Sequence, residues 1–167
     1  MVGLVLFTVP VVWGENTFLQ TCKQTFSTTW QEGRLEVIVP VHTWHNRAHY
    51  TKEQIDRWNE DPWGLGLSKT YMDEKSNRHR LLAITFQDSH NKPQPTFGYS
   101  WQAVWREEHT VRPTLGFLAG FTMRDELYYI PVPAAIPVAG VDVGSFSWEA
   151  TYIPFVDVLF TWVTWRF

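Results

Sequence analysis

The chain has 167 residues and a formal net charge of −3, and it carries no basic stripe, so its composition excludes a typical nucleic-acid-binding domain. Aromatic residues make up 16% of the chain, including 10 tryptophans, which is typical of membrane proteins because Trp and Tyr favour the bilayer interface. The length suits a single domain and is sufficient for eight membrane-crossing strands of ~9–11 residues each.

The first segment, residues 1–14, is apolar but shorter than the ~20 residues that a membrane-spanning helix needs. It lacks the basic start and the small-residue cleavage site of a secretory signal, so we interpret it as a possible signal-peptide remnant. The remaining residues, 15–167, contain no uncharged apolar run of ~18 residues. A membrane protein without helical spans must be a β-barrel.

A helix is predicted at about residues 16–32, where apolar residues recur at the spacing of a helix face and Gly33 provides a stop. The apolar positions are Phe18, Leu19, Cys22, Phe26 and Trp30. Two placements fit this amphipathic pattern. The helix could lie flat in a membrane interface, or it could face the core of a soluble protein.

The rest of the chain, about 34–167, alternates with period two between turn signals, which predicts strands. Six strands are predicted, at about 34–44, 79–87, 96–105, 114–123, 145–153 and 160–167. Segment 46–78 is predicted to be a long loop, of a length that is usually functional or mobile, and the proline-containing segment 127–141 could supply two further strands. Because such barrels have an even strand number, we predict an all-β fold, an eight-stranded antiparallel transmembrane barrel.

The two faces of the predicted strands differ in size. One face carries large apolar groups and is expected to face lipid, whereas the other offers small residues. The small residues are Gly98, Ser100, Gly116, Gly120, Ser145 and Ser147. They either leave a dry internal space for a hydrocarbon chain, with Leu118 and Ala83 in its wall, or simply allow tight packing.

Proline residues predict local breaks in the hydrogen-bonded wall, because proline cannot donate to a sheet ladder. Pro40 lies within the first predicted strand, and Pro137 and Pro154 flank others. Such breaks would let a lipid tail enter sideways from the membrane. Alternatively, these prolines mark turns.

Three polar residues follow strand ends that are expected to share one rim: His45, Asp88 and Ser89. A histidine near a serine hydroxyl can act as a general base in acyl transfer. Taken alone the pattern is weak, since Ser, His and Asp are common at strand ends.

Seven segments of the chain resemble the lipid A palmitoyltransferases of the PagP family, in order and over about residues 18–167. They read PVHTWHNR (40–47), DRWNEDPWG (56–64), DEKSNRH (73–79), FQDSHNK (86–92), GYSW (98–101), YIPVP (129–133) and TYIP (151–154). The resemblance implies a tilted barrel with an N-terminal amphipathic helix, located in the outer membrane of a Gram-negative bacterium. It implies transfer of a palmitoyl or similar chain from the sn-1 position of a phospholipid to a hydroxyacyl chain of lipid A. It implies no metal or organic cofactor, and we expect a monomer without a nucleic-acid partner.

The resemblance also assigns roles to individual residues. The family's essential residues correspond to His45, Asp88 and Ser89, on a rim that faces the cell exterior. Further polar positions near that rim correspond to Asp73, His79 and Arg124, which we expect to contribute to substrate binding.

The same resemblance implies two lateral openings and an acyl pocket. The openings correspond to Pro40 with Pro62 and to Pro137 with Pro154. Gly98 belongs to the expected pocket, and its floor position, a glycine in well-known members, is Ser100 here. A larger floor residue predicts a shorter acyl chain, unless the barrel has re-tilted to retain palmitate.

Other functions remain open at the level of sequence. An outer-membrane phospholipase would use the same residues with water as the acceptor. A non-enzymatic eight-stranded barrel would have no dry pocket. A soluble lipocalin-like binder would need polar outward faces, where this sequence places Phe, Trp and Leu.

Overall fold

A computed structural model describes residues 15–106 and 108–167, so the predicted signal remnant at 1–14 lies outside the described residues. The chain begins with helix α1 (Glu15–Glu32), and a short helix α2 (Lys52–Ile55) and a 3-10 turn (Asp125–Leu127) lie in loops. The strands are β1 (Arg34–His45), β2 (Gly64–Met72), β3 (Asn77–Gln87), β4 (Pro93–Val104), β5 (Val111–Thr122), β6 (Val132–Val143), β7 (Phe146–Ile153) and β8 (Val158–Arg166).

The described strands form one closed antiparallel barrel, in which each strand pairs with the next and β8 pairs with β1. Closure removes the exposed sheet edges that an open sheet would present to lipid. This confirms the predicted eight-stranded barrel with an N-terminal helix.

Two strand predictions were wrong in detail. Strand β2 lies inside the segment predicted to be a loop, and segment 127–141 contributes to one strand, β6, rather than two. In β2 the inward positions begin with Gly64 and Gly66, so no large inward side chain marks the alternation. A Cβ atom on Gly66 would lie 2.7 Å from the Cβ atom of Ile84, so the approach of β3 requires this small residue.

The inward face was also assigned wrongly on β3. Leu82 and Ile84 line the barrel interior, whereas Ala83 is exposed on the outer wall. These inward residues share the parity of Arg78 and Arg80, which are buried and ion-paired inside the barrel. Period two places residues on opposite faces, but it does not say which face is inside.

A buried ionic cluster fills the barrel interior at the end near α1. Arg80 donates to both carboxylate oxygens of Glu149 at 2.8 Å and to Glu36 at 3.0 Å. Arg78 pairs with Asp142 in the same region. Because each of these charges has a partner of opposite sign, the ionic cluster can stay buried. It separates the barrel end near α1 from the rest of the interior.

Helix α1 packs against the outside of β2 and β3, and two residues of its apolar stripe are largely uncovered. Leu19 is 61% exposed and Trp30 is 64% exposed, while Phe26 stacks on Tyr99 of β4 with ring centroids 5.1 Å apart. The helix therefore does not face a protein core, and an interfacial position accounts for the stripe. Within the described residues, no helix has both the length and the hydropathy that crossing a membrane requires.

The wall has a break between β1 and β2 beside Pro40. The ladder between these strands ends at the pair Ile38 and Gly66. On the other side of β1, the register with β8 shifts between Pro40 and His42. Pro62 is buried in the segment that leads into β2.

A second break lies between β6 and β7. Their ladder runs from Val143 paired with Phe146 to Ala139 paired with Ala150 and continues no further among the described residues. Pro137 lies just beyond the last pair, and Pro154 directly follows β7. Both breaks therefore lie beside the predicted prolines.

Candidate active site

The candidate site lies at the barrel end where β1, β3, β5 and β7 finish, which we call the His45 rim. His45 is the last residue of β1, and Asp88 and Ser89 directly follow β3. Two strands that run in the same direction around a barrel end at the same rim, so residues far apart in sequence meet there.

His45 is 3% exposed, and its Nε2 atom lies 2.9 Å from the Oγ atom of Ser89. The imidazole packs against Trp58 with ring centroids 4.6 Å apart. The main chain holds the partner in place, because the amide of Asn59 donates to the carbonyl of Ser89 at 2.8 Å. The structure thus joins two of the three predicted catalytic residues through a hydrogen bond, at a distance over which a general base can take a proton from a hydroxyl group.

Asp88 is also buried at this rim, but its carboxylate organises the turn between β3 and β4. Its Oδ1 atom accepts the amides of His90 at 2.8 Å and Lys92 at 2.9 Å. Within the described residues Asp88 makes no hydrogen bond to His45. Its contacts support the turn that presents Ser89.

The carboxylate that contacts His45 belongs to Glu60, a residue that the sequence analysis did not select. Its Oε1 atom lies 3.0 Å from Nδ1 of His45 and also accepts the His45 amide at 3.0 Å. Arg47 donates to both Glu60 oxygens at 2.6 Å and thereby lowers the pKa of Glu60 from 4.5 to about 2. Glu60 lies in the loop before β2. The side-chain pattern of that loop does not indicate that the loop folds back over β1.

Arg124 lies at the same rim, as predicted from the resemblance. Its guanidinium is 4.0 Å from Asp88 and 3.0 Å from Glu126, and it lines the cavity beneath. Side-chain atoms of Asp88, His90 and Glu126 approach within 4.8 Å of one another, a spacing that could hold a metal ion. Because Arg124 already faces both carboxylates, we assign no metal to this cluster.

A cavity of about 370 Å³ extends from the rim into the barrel. His45, Asp88 and Ser89 lie at its mouth, and its deeper walls are apolar. The deep lining includes Ile38, Leu82, Ile84, Leu118, Ile136 and Trp162. The barrel therefore contains an internal space with apolar walls, one of the two predicted outcomes, in a size range suited to a hydrocarbon chain.

Ser100 does not line this cavity, contrary to its predicted position at the floor. It is 2% exposed and pairs in register with Arg80 on one side and Leu118 on the other. Leu118 lines the cavity, and Ser100 lies beside it in the wall, between Leu118 and the buried Arg80. Gly98 lies one step closer to the mouth, paired with Leu82 and Gly120, and has no side chain to contribute.

Asp73 and His79 do not belong to the His45 rim, so that part of the prediction was wrong. They lie at the opposite end of the barrel, where Nε2 of His79 is 3.2 Å from Asp73 and Nδ1 is 2.6 Å from the hydroxyl of Tyr99. His79 alternates with Arg78 and Arg80, which point inward, and so lies on the outer wall. His79 lies at the start of β3 and Ser89 follows its end, so the order along the chain already separates them by the length of the strand.

Comparison with known proteins agrees with this architecture. Residues 25–164 match the family model of PagP, described as the antimicrobial peptide resistance and lipid A acylation protein. The chain belongs to the PagP family. It is 43% identical over 153 residues to the lipid A acyltransferase PagP of Laribacter hongkongensis (strain HLHK9), covering 89% of this chain and 74% of that protein.

Another relative is the lipid A palmitoyltransferase PagP of Escherichia coli O6:K15:H31 (strain 536 / UPEC). It is 40% identical over 159 residues, which cover 91% of this chain and 86% of that protein. A closed barrel with an apolar outer wall in the PagP family is an outer-membrane protein of Gram-negative bacteria.

Proposed function

We propose that this PagP-family barrel transfers a palmitoyl chain, or one of similar length, from the sn-1 position of a phospholipid to a hydroxyacyl chain of lipid A. The observation that carries the proposal is the His45–Ser89 hydrogen bond at the mouth of an apolar, acyl-sized cavity. The family description and the names of the relatives agree with lipid A as the acceptor.

The residues at the mouth support direct acyl transfer. Nε2 of His45 takes the proton from the acceptor hydroxyl as that oxygen attacks the ester carbonyl, and a new ester bond forms. The bond to the donor glycerol oxygen then breaks, and the leaving oxygen takes the proton from His45. The products are acylated lipid A and a lysophospholipid, and His45 returns to its neutral form.

The neighbouring residues have supporting roles in this scheme. Before the acceptor binds, Ser89 holds the imidazole through its hydrogen bond at Nε2, the site that the acceptor hydroxyl then takes over, and Asp88 holds the turn that carries Ser89. Arg124 supplies positive charge at the mouth, where negative charge develops on the carbonyl oxygen or is present in a headgroup.

Two features support lateral access and orientation. The cavity is bordered by Ile38 at the β1–β2 break and by Ile136 at the β6–β7 break, so a lipid tail could enter beside Pro40 and Pro62 or beside Pro137 and Pro154.

Loops at the His45 rim, such as 46–63 and 123–131, are longer than the turns 73–76 and 144–145 at the other end. In such barrels the longer loops are extracellular, so we place the site at the cell exterior in a monomeric barrel.

The test is mass analysis of lipid A from cells that express the wild type or His45→Ala. We expect added acyl mass on lipid A with the wild type and none with the variant. His42→Ala is a matched control, since its side chain is 45% exposed and pairs with Asp61 outside the cavity. Wild-type cells with unmodified lipid A would overturn the proposal.

A phospholipase is the second candidate, because the linked Ser89, His45 and Glu60 side chains resemble a hydrolytic triad. In that case water accepts the acyl group. Release of free fatty acid from purified protein, without acyl transfer to added lipid A, would favour this function.

A further inference from the structure

We infer that Glu60, held by Arg47, is a positioning residue that fixes the tautomer and orientation of His45. This inference rests on the proposed acyl transfer, because it assigns Glu60 a role in preparing the general base. The predicted catalytic set of His45, Asp88 and Ser89 contains no group that does this.

The contact geometry selects one tautomer of the imidazole. A carboxylate only accepts hydrogen bonds, so Nδ1 of His45, 3.0 Å from Glu60, must carry the proton in the neutral ring. Nε2 is then unprotonated and faces Ser89 at 2.9 Å. That is the arrangement in which Nε2 can take a proton from a hydroxyl group.

Glu60 also fixes the position of the ring, because it binds the same residue twice. Its Oε1 atom accepts the His45 amide as well as approaching the ring, and the Glu60 carbonyl accepts the amide of Thr43 at 2.8 Å. The side chains of His45 and Glu60 are 4% and 17% exposed. The His45–Glu60 pair is therefore partly shielded from water and held at two points. The imidazole is already ordered before the reaction and needs little further ordering during it.

Arg47 keeps this carboxylate charged and in place. Its two terminal nitrogens donate to the two Glu60 oxygens at 2.6 Å, a bidentate arrangement with a fixed plane. Arg47 also donates to the carbonyl of His45 at 2.6 Å, so the three residues form one closed unit.

Asp88 does not compete for this role. Its Oδ1 atom is occupied by the amides of His90 and Lys92, and its other oxygen faces Arg124 at 4.0 Å. The remaining neighbours of the imidazole described by ring contacts are Trp58 and Tyr50, which pack on it without supplying a carboxylate.

The chain contains a natural control for Glu60. His42 and Asp61 form the same kind of contact, with Nδ1 of His42 3.2 Å from a carboxylate oxygen of Asp61. His42 lies three residues before His45, and Asp61 directly follows Glu60. Their side chains are 45% and 92% exposed and do not line the cavity. Asp61→Asn therefore repeats the acid-to-amide change without touching His45.

The experiment measures acyl transfer by purified wild type, Glu60→Gln, Glu60→Asp, Arg47→Ala and Asp61→Asn in detergent micelles. We expect Glu60→Gln to lower kcat about 100-fold, because an amide can donate to Nδ1 and so permits the wrong tautomer. KM should change only a few-fold, Glu60→Asp should recover part of kcat, and Asp61→Asn should equal the wild type. Arg47→Ala should cost less than Glu60→Gln, because the carboxylate itself remains.

Nitrogen-15 NMR of the histidine side chains gives a readout that a merely structural role would not move. We expect His45, identified by loss of its signals in His45→Gln, to be protonated at Nδ1 in the wild type and to show mixed protonation in Glu60→Gln. Normal kcat in Glu60→Gln would overturn the inference. So would equal losses in Glu60→Gln and Arg47→Ala with an unchanged His45 tautomer.

Failure of the proposed function is distinguishable from failure of this inference. If the wild type transfers no acyl chain, the proposed function fails, and the NMR spectra still decide whether Glu60 sets the tautomer. If the wild type is active and His45→Ala is inactive while Glu60→Gln keeps full activity, only the positioning role fails.

Discussion

Nε2 of His45 lies 2.9 Å from Oγ of Ser89, although the two residues are 44 positions apart in the chain. The closed barrel creates this contact, because β1 and β3 end at the same rim and the loop before β2 folds back between them. The polar pair lies at the mouth of an apolar cavity, so each part of the proposed chemistry has a defined location.

Ser89→Ala should reduce acyl transfer about 10- to 100-fold without abolishing it, because His45 remains available as the base. Rates from purified protein with a defined phospholipid and lipid A would show this. An acyl adduct on wild-type protein, detected by intact mass after incubation with donor alone, would instead indicate a serine nucleophile.

Asp88→Asn should retain much more activity than Asp88→Ala. Both backbone amides bind the same Asp88 oxygen, and an amide oxygen can replace it, whereas alanine leaves the turn without an acceptor. Activity assays on the two variants would test this. Asp73 supports a similar turn at the other end of the barrel through the amides of Lys75 and Asn77, so Asp73→Ala is the matched control. Equal losses in both Asp88 variants would show that its charge, not its turn, matters.

Leu118→Ala should shift the preferred donor towards longer acyl chains, whereas Ser100→Gly should leave the preference unchanged. Leu118 lines the cavity, whereas Ser100 lies beside it, next to the buried Arg80, and does not line the cavity. Competition among phospholipids of defined chain length would measure both. Leu115→Ala, on the outer wall where Leu115 is 50% exposed, is the control. A gain in chain length with Ser100→Gly would restore the original floor prediction.

Glu149→Gln should destabilise the barrel by about 3–5 kcal/mol, because it removes one of the two carboxylates that pair with the buried Arg80. Glu149 accepts from Arg80, from Thr164 at 2.8 Å and from Trp162 at 3.0 Å. Urea-dependent unfolding in lipid vesicles would measure the loss. Glu53→Gln, on the exposed surface of α2, should change stability little.

Acid should loosen the loop that carries Glu60. The pKa of Glu60 is lowered from 4.5 to about 2 by Arg47, so its contribution to stability is complete above pH 4.5 and is lost as the pH falls towards 2. Hydrogen exchange at the His45 amide, which donates to Glu60, should accelerate across this interval relative to its expected pH dependence. In Glu60→Gln this acid-dependent component should be absent. An identical pH profile in both proteins would contradict the assignment.

The sequence predicted the barrel better than it predicted the site. Strands β1, β3, β4, β5 and β7 follow their alternation closely, but β2 was missed because Gly64 and Gly66 conceal its inward face. Glu60 was missed for a different reason. A loop residue gains its partner through the path of the main chain, which local periodicity does not encode.

The sequence by itself determined the class of the molecule. It predicted apolar strands of membrane-crossing length, a barrel with an even number of strands, a helix before the first strand, and His45 and Ser89 at strand ends. These follow from the period of the side chains and from the need to pair every backbone group in lipid. The tertiary structure alone decided that Leu82 faces inward and that Glu60 rather than Asp88 contacts His45. Those features depend on register, closure and loop path, which bring together residues that have no fixed relation along the chain.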